Sequence, residues 1–241
     1  MVQSLQFGPL AVPTAPLFAV LAVMIGVDMA ARYGRRLGLH ADDVWNTGMI
    51  AIVAGLIVAR LWNVLHFWDV YLEEPGLIFS LRPSGFVWSA GLIAALIAGY
   101  GWMIVRSLDP LRVATALLVG GTVGWIVQSM SNFLTGNPLG LLSNLPWAVP
   151  YYDELRHPVA LYELAGATVL WLFVMSWGRR ASPSQTFWGL LLGWGVLLLL
   201  TRAFVEEPVT MLGLRTVQVV ALVIGLFACW RLATSKSVSQ S

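Results

Sequence analysis

The stretch Arg156-His157-Pro158-Val159-Ala160-Leu161-Tyr162-Glu163 marks the point at which a polar loop becomes an apolar helix. Proline suits the first turn of a helix, because its missing N–H would have no partner within the helix at that position. The apolar residues that follow continue to about residue 177, which is long enough for a membrane span. The stretch therefore predicts the start of a transmembrane helix that carries a histidine, a tyrosine and a carboxylate.

The composition extends this prediction to the whole chain. Of the 241 residues, 58% are hydrophobic and 11% are charged, and the mean hydropathy is +0.77. A chain this apolar cannot cover a water-facing surface with polar residues. We therefore predict an all-α integral membrane protein with one domain over residues 1–234. The net charge of +2 is too small to indicate a nucleic-acid partner. The single cysteine, Cys229, excludes an internal disulfide and a cysteine-based metal cluster, and we expect neither a metal nor a cofactor.

Seven apolar runs are long enough to cross a bilayer. They cover approximately residues 9–29, 43–65, 85–104, 111–131, 158–177, 185–205 and 212–230. Nine of the fourteen Lys and Arg residues lie between or after these runs on one side: Arg32, Arg35, Arg36, Arg106, Arg112, Arg179, Arg180, Arg231 and Lys236. By the positive-inside rule this side is cytoplasmic. The amino terminus is then outside, and the carboxyl terminus is cytoplasmic, with a disordered tail over 235–241.

One external connection is long. Residues 132–157, between the fourth and fifth spans, are rich in Asn, Gly and Pro. A connection of this length is either a disordered linker or a shaped functional loop. Because Trp147, Tyr151 and Tyr152 suit the headgroup level of a bilayer, we expect a loop that lies on the membrane surface.

Charged residues within or beside the spans are candidates for a functional site, because a charge in hydrocarbon is costly unless it faces the protein interior and has a partner. Glu163 requires such a partner, for which Arg156, Arg202 or Arg60 can serve. Arg202 and Glu206 are four residues apart, so they can form a local ion pair on one helix. Arg60 can be a structural pin between helices. Alternatively, Arg60 and Arg202 hold an anionic headgroup, since guanidinium groups match phosphate geometry.

Five segments resemble the prolipoprotein diacylglyceryl transferase family, whose members move diacylglyceryl from phosphatidylglycerol to the lipobox cysteine of a lipoprotein precursor. Residues 157–163 resemble its HPxQLYE segment. The others are Ala59-Arg60, Asn132 to Gly140 (NFxNGExxG in the family), Arg202 to Glu206 (RxxxE) and Gln218. The resemblance runs from about residue 8 to residue 230. It implies a seven-helix body in the bacterial inner membrane, a periplasmic head and a cavity open sideways to lipid.

Several positions depart from the family pattern. Ser129 replaces an arginine, Asn137 an acidic residue, Ala15 a tyrosine, Ala160 a glutamine, and Ser89-Ala90-Gly91 a histidine-containing HGG site. The resemblance leaves Arg60, Asn132, Gly140, Tyr162, Glu163 and Arg202 for the lipid headgroup, and His157 and Glu206 as candidate catalytic bases. If the chain transfers a lipid group, we expect Arg60, Asn132, His157 and Arg202 to converge on one phosphate-sized cavity that opens to the bilayer.

Three hypotheses remain open. The first is a divergent transferase that moves diacylglyceryl from phosphatidylglycerol to a thiol or another acceptor, which requires a base and stabilisation of the leaving phosphate. The second is a catalytically inactive family member that binds lipid as a structural or assembly subunit of a membrane complex. The third is a small-solute transporter, for which the sequence lacks paired interrupted helices. The expected partners are phosphatidylglycerol or another anionic phospholipid, with a lipoprotein precursor or a membrane complex as further candidates.

Overall fold

The computed structural model describes residues 2–8, 10–79, 85–178, 181–210 and 213–237. Its helices are α1 (Thr14–Arg36), α2 (Ala41–His66), α3 (Trp68–Glu73), α4 (Trp88–Val105), α5 (Pro110–Thr135), α6 (Val159–Trp177), α7 (Pro183–Thr201) and α8 (Thr216–Ser237). Seven of them, all except the short α3, are long and apolar enough to cross a membrane. This confirms the predicted all-α, seven-span fold. The assignment of the two ends to the outside and the cytoplasm stays a prediction.

Some predicted features lie outside the described residues. These are Arg179 and Arg180 of one loop that is predicted to be cytoplasmic, and residues 238–241 of the predicted tail. The rest of that tail segment, up to Ser237, continues α8.

The first span differs most from its prediction. It was expected over 9–29, but Leu10–Pro13 forms a strand, β2, that pairs antiparallel with β1 (Ser4–Phe7). The hairpin is attached to the end of α5, since the amide of Val2 donates to the carbonyl of Leu134 at 2.8 Å. At its other end, α1 continues through Arg35 and Arg36, which were expected in a loop. Arginine is a good helix former and is favourable in a last turn, where the helix dipole is negative.

Helix α5 is the centre of the bundle, with α1, α6 and α7 packed against it. Glycines allow the closest approaches: a Cβ on Gly120 would lie 2.2 Å from the carbonyl oxygen of Gly26 in α1. Helices α2 and α4 meet in the same way, since a Cβ on Gly91 would lie 2.8 Å from the oxygen of Gly55. Small residues at these crossings bring backbones together where lipid offers no hydrophobic driving force.

The loop over 132–157 is shaped, not a disordered linker. It contains a second hairpin, in which β3 (Val149–Tyr151) pairs with β4 (Glu154–Arg156). Upstream, Gly140 forms an antiparallel bridge to Val205, just after α7, and Leu142 forms one to Arg156. Residues 139–143 therefore lie between β4 and the segment that follows α7. This arrangement fixes the loop over the ends of α5, α6 and α7.

Candidate functional site

Arg156 joins three segments of the loop end. It is 8% exposed, and its guanidinium donates to the carbonyl of Gly140 at 3.0 Å and to the carboxylates of Glu206 and Glu154. Burial by itself lowers the pKa of Arg156, but the hydrogen bonds and charges of Glu206 and Glu154 outweigh it and raise the pKa above its ordinary value. The side chain is therefore a permanent cation at this position.

A second cation lies at the end of α7. The Nη2 of Arg202 is 3.2 Å from the carboxylate of Glu163, which is 1% exposed, and its Nη1 is 3.6 Å from that of Glu207. The other oxygen of Glu163 accepts a hydrogen bond of 3.2 Å from the indole of Trp125 on α5. Among the three partners that the sequence offered for Glu163, the structure selects Arg202.

The ion pair between Arg202 and Glu206 that the sequence spacing allowed is not formed. It required one continuous helix over 185–205, but α7 ends at Thr201 and a 3₁₀ turn, Arg202–Phe204, follows. Because α7 ends before both residues, the two side chains point in different directions. Arg202 forms an ion pair with Glu163, and Glu206 forms one with Arg156.

His157 lies beside this charged cluster. Its Nδ1 is 3.1 Å from the hydroxyl oxygen of Tyr162, which also accepts a hydrogen bond of 2.9 Å from the indole of Trp147. The imidazole packs against the ring of Phe204, with 4.8 Å between the centroids. The histidine therefore has one nitrogen held by Tyr162 and one ring face covered by an aromatic side chain.

The backbone of Gly140 contacts Arg156, His157 and Val205. A Cβ at this position would lie 2.1 Å from the carbonyl oxygen of His157, which real Cβ atoms do not approach. The same residue accepts from Arg156 and bridges to Val205. Only glycine lets the loop backbone pass this close to the start of α6.

Asn132 lies on α5, on the helix face that also carries Trp125. Its side chain accepts from Gln128 at 3.1 Å, and Trp125, Gln128 and Asn132 share one helix face through their spacing of three and four residues. An apolar cavity of about 550 Å³ between α1, α2 and α5 has Trp125 and Gln128 among its lining residues. Trp125 lines this cavity and also donates to the buried carboxylate of Glu163, so one side chain contacts both.

Arg60 does not join the cluster. Its guanidinium donates to the carbonyls of Ile78 at 3.1 Å, Gly85 at 2.8 Å and Leu77. It also lies 5.4 Å from the ring centroid of Tyr71. The expected convergence of Arg60 with Arg202 is therefore not seen, because the connection between α2 and α4 occupies every guanidinium nitrogen. These contacts match a structural pin.

Two of the departures from the family pattern lie in different environments. Ser129, in α5, is fully buried and its hydroxyl has no hydrogen-bond partner among the described residues. Ser89 is exposed on α4 and lines a surface cavity with Val58 and Trp62. The structure thus gives Ser89 no contact with the Arg156 and Arg202 cluster.

The arrangement is suited to an anion. Arg156 and Arg202 each retain a buried Nε–H that has no acceptor in the described part of the chain. Buried N–H groups are normally paired, so each is a donor available to a ligand. Within the same residues, no group of three or more His, Cys, Asp or Glu side chains is arranged to hold a metal ion.

Sequence reasoning missed two members of the site. Arg156 was considered only as a partner for Glu163, although its place between a loop and a span was a usable signal. Trp125 was not considered. Its spacing from Gln128 and Asn132 on α5 is the signal that could have found it.

Known proteins are similar to most of this chain. A family model described as prolipoprotein diacylglyceryl transferase matches residues 3–234. A phosphatidylglycerol–prolipoprotein diacylglyceryl transferase of Clostridioides difficile is 32% identical over 141 residues, which are 58% of this chain and 57% of that protein. The protein of the same name from Methylococcus capsulatus is 29% identical over 222 residues, 87% of this chain and 83% of that protein. With its seven apolar helices, the chain is a multi-pass protein of the bacterial inner membrane.

Proposed function

The chain belongs to the prolipoprotein diacylglyceryl transferase family, and from this premise we propose that it transfers the diacylglyceryl group of phosphatidylglycerol to a thiol, the lipobox cysteine of a lipoprotein precursor. The names of its relatives support this substrate pair. The observation that carries the proposal is a pair of cations at the same end of the bundle as His157: Arg156 and Arg202 each have a buried Nε–H without an acceptor among the described residues.

The proposed reaction is a substitution at carbon. The thiolate sulfur forms a bond to the glyceryl carbon, the bond from that carbon to the phosphate oxygen breaks, and glycerol phosphate leaves with the electron pair. The thiol proton passes to a base. No oxidant or reductant is required.

The two arginines act on the leaving group. Negative charge grows on the phosphate as the bond breaks, and fixed guanidinium donors in a site with little water stabilise that charge. The same cations lower the pKa of an incoming thiol, which increases the thiolate fraction. Arg60 does not converge on this site, although that was expected of a transferase, so the proposal requires that Arg156 supply the second cation in its place.

His157 serves as the base. With its Nδ1–H donated to Tyr162, the hydroxyl oxygen of Tyr162 accepts from both His157 and Trp147, as its two lone pairs allow. The unprotonated Nε2 then accepts the thiol proton. Glu206 is the less suitable base, because its carboxylate is paired with Arg156. Gly140 fixes the backbone beside His157 and Arg156, Glu163 holds Arg202, and Tyr162 orients the imidazole.

The test is a transfer assay with purified full-length protein. Vesicles containing phosphatidylglycerol are mixed with a lipobox peptide, and both glycerol phosphate release and the mass gain of the peptide are measured. We expect both products with wild type, and neither with a peptide in which the cysteine is replaced by serine. His157→Gln and Arg202→Gln should abolish them, while Arg106→Gln, at the other end of the bundle and paired with Asp43, should not.

The same assay decides between the two main hypotheses. Absence of glycerol phosphate with wild type, while phosphatidylglycerol still co-purifies and depends on Arg202, would overturn the transferase proposal and favour an inactive lipid-binding subunit. If His157→Gln still releases glycerol phosphate, His157 is not the base, and the rest of the proposal stands.

A further inference from the structure

A basic cavity lies at the end of the bundle opposite to Arg156 and Arg202. It has a volume of about 570 Å³ and lies between the last turns of α1 and α6. Arg32, Arg35 and Arg36 of α1 line it, together with Trp171 and Met175 of α6. The spacings of three and four residues place the arginines on one face of α1. A positive-inside bias accounts for arginines after a span, but not for their meeting in a cavity between two helices.

The charge in this cavity is not balanced. Arg32 forms an ion pair of 2.7 Å with Asp28, and both side chains are largely exposed. The Nη1 of Arg36 is 3.5 Å from the sulfur of Met175, which is a weak acceptor. The side chain of Arg35 has no hydrogen bond or ion pair to any residue that the structure describes. Like charges one turn apart repel each other, so a bound anion would stabilise this end of α1.

The cavity also offers a neutral donor and an apolar wall. The indole Nε1 of Trp171 is buried and has no acceptor among the described residues. A buried tryptophan N–H usually has a partner, which makes it a donor available to a ligand. Met29 and Met175 complete the wall with polarizable apolar side chains. A ligand that satisfies the whole cavity therefore combines an anionic group with a hydrocarbon portion.

We propose that this cavity binds the phosphodiester group of an anionic phospholipid from the leaflet at this end of the protein, with its glycerol and upper acyl carbons against Met29 and Trp171. Basic pockets between transmembrane helices bind such headgroups. The volume lies within the range of small-molecule sites. Glu163 and Trp171 are eight residues apart on α6, which separates the two sites by roughly 12 Å along the helix. The inference is therefore independent of the proposed transfer reaction.

The test uses the full chain in phosphatidylcholine nanodiscs that contain increasing fractions of phosphatidylglycerol, with bound lipid counted by native mass spectrometry. Every protein carries Glu163→Gln together with Arg202→Gln, so that binding at the first site is suppressed without leaving an unpaired charge in the interior. We expect the double variant Arg35→Gln and Arg36→Gln to weaken phosphatidylglycerol binding by about 30-fold. Trp171→Phe, which removes only the N–H donor, should weaken it by about fivefold.

The control is Arg106→Gln. Arg106 lies at the same end of the bundle but is paired with Asp43 and is not among the residues that line this cavity. It should leave binding unchanged. Inorganic phosphate and glycerol phosphate are tested as competitors at matched concentrations, and we expect neither to displace the lipid.

Each result bears on the proposal. The proposal is overturned if the double arginine variant and Arg106→Gln bind phosphatidylglycerol with equal affinity. If the double arginine variant fails to fold, equal affinity in Trp171→Phe and Arg106→Gln overturns it instead. Full competition by free phosphate would show a soluble anion as the ligand and overturn the lipid assignment. If wild type transfers no lipid in the vesicle assay but lipid binding still depends on Arg35 and Arg36, the proposed function fails and this inference stands.

Discussion

The carboxylate of Glu163 lies 3.2 Å from the guanidinium of Arg202, with Glu163 1% exposed. The pair joins the start of α6 to the end of α7 in the interior of the protein. Trp125 adds a contact from α5, so three helices meet at one buried charge. Such a pair costs desolvation, and removing one partner leaves the other charge uncompensated.

Glu163→Gln should destabilise the protein by about 3–5 kcal/mol, because Arg202 would lose its buried partner. Thermal unfolding in detergent measures the change. Trp125→Phe is the matched control, since it removes one hydrogen bond to the same carboxylate and should cost about 1 kcal/mol. The double variant Glu163→Gln and Arg202→Gln should be less unstable than the sum of the single changes. Additive effects would show that the two residues are not coupled.

Gly140→Ala should destabilise the loop over 132–157 by about 1–3 kcal/mol or more, since its Cβ would overlap the carbonyl of His157. The transfer activity should fall with it, because Arg156 and His157 both depend on this backbone. Gly101→Ala is the control: a Cβ there meets no atom within 4 Å, and alanine favours the helix. A Gly140→Ala protein as stable and active as Gly101→Ala would contradict the close approach.

Tyr162→Phe should lower the transfer rate by at least about tenfold, because a positioned acid or base typically contributes about 100-fold to 10,000-fold. The change removes the oxygen that holds Nδ1 of His157 and accepts from Trp147. Initial rates of glycerol phosphate release measure the effect. Tyr152→Phe, on an exposed side chain of the same loop, is the control. If both variants keep the wild-type rate, Tyr162 does not orient the base.

Arg60→Gln should loosen the connection between α2 and α4, because three backbone carbonyls lose a charged donor. Hydrogen bonds to charged groups contribute about 1.5–3 kcal/mol each. We expect faster proteolysis within residues 74–87 and unchanged affinity for phosphatidylglycerol. Reduced lipid affinity without faster cleavage would instead support the headgroup role expected from the sequence.

Tyr151 predicts a pH dependence. Burial raises the pKa of Tyr151 above its ordinary value of 10.0, and its hydroxyl donates to the carbonyl of Phe133 at 3.0 Å. Because this pKa is higher in the folded state, the contribution of the neutral Tyr151 side chain to the free energy of unfolding is complete below about pH 10. It is lost as the pH rises through the folded-state pKa. The unfolding temperature of wild type should therefore fall more steeply above pH 10 than that of Tyr151→Phe. Identical pH profiles would exclude this contribution, and Tyr152→Phe should behave as wild type.

The spans were largely predictable because hydropathy acts locally. The apolar run over 158–177 became α6, Val159–Trp177, nearly residue for residue. The start of α1 was not predictable in this way, because the strand Leu10–Pro13 depends on a hairpin that is attached to α5, more than a hundred residues away. The end of α7 was also misplaced, since Ala203, Phe204 and Val205 continue the apolar pattern beyond the point where the helix changes to a 3₁₀ turn.

The amino-acid sequence by itself determined the membrane class, the seven spans and the family, because these follow from hydrophobic length and from residues that are neighbours in the chain. It also placed His157, Tyr162 and Glu163 together, since one helix start carries all three. Only the tertiary structure decided the partners: Arg202 with Glu163, Arg156 with Glu206, and Arg60 with backbone carbonyls. The physical reason is that a long charged side chain can reach several candidates, and the choice depends on where helices end and on which groups are buried together.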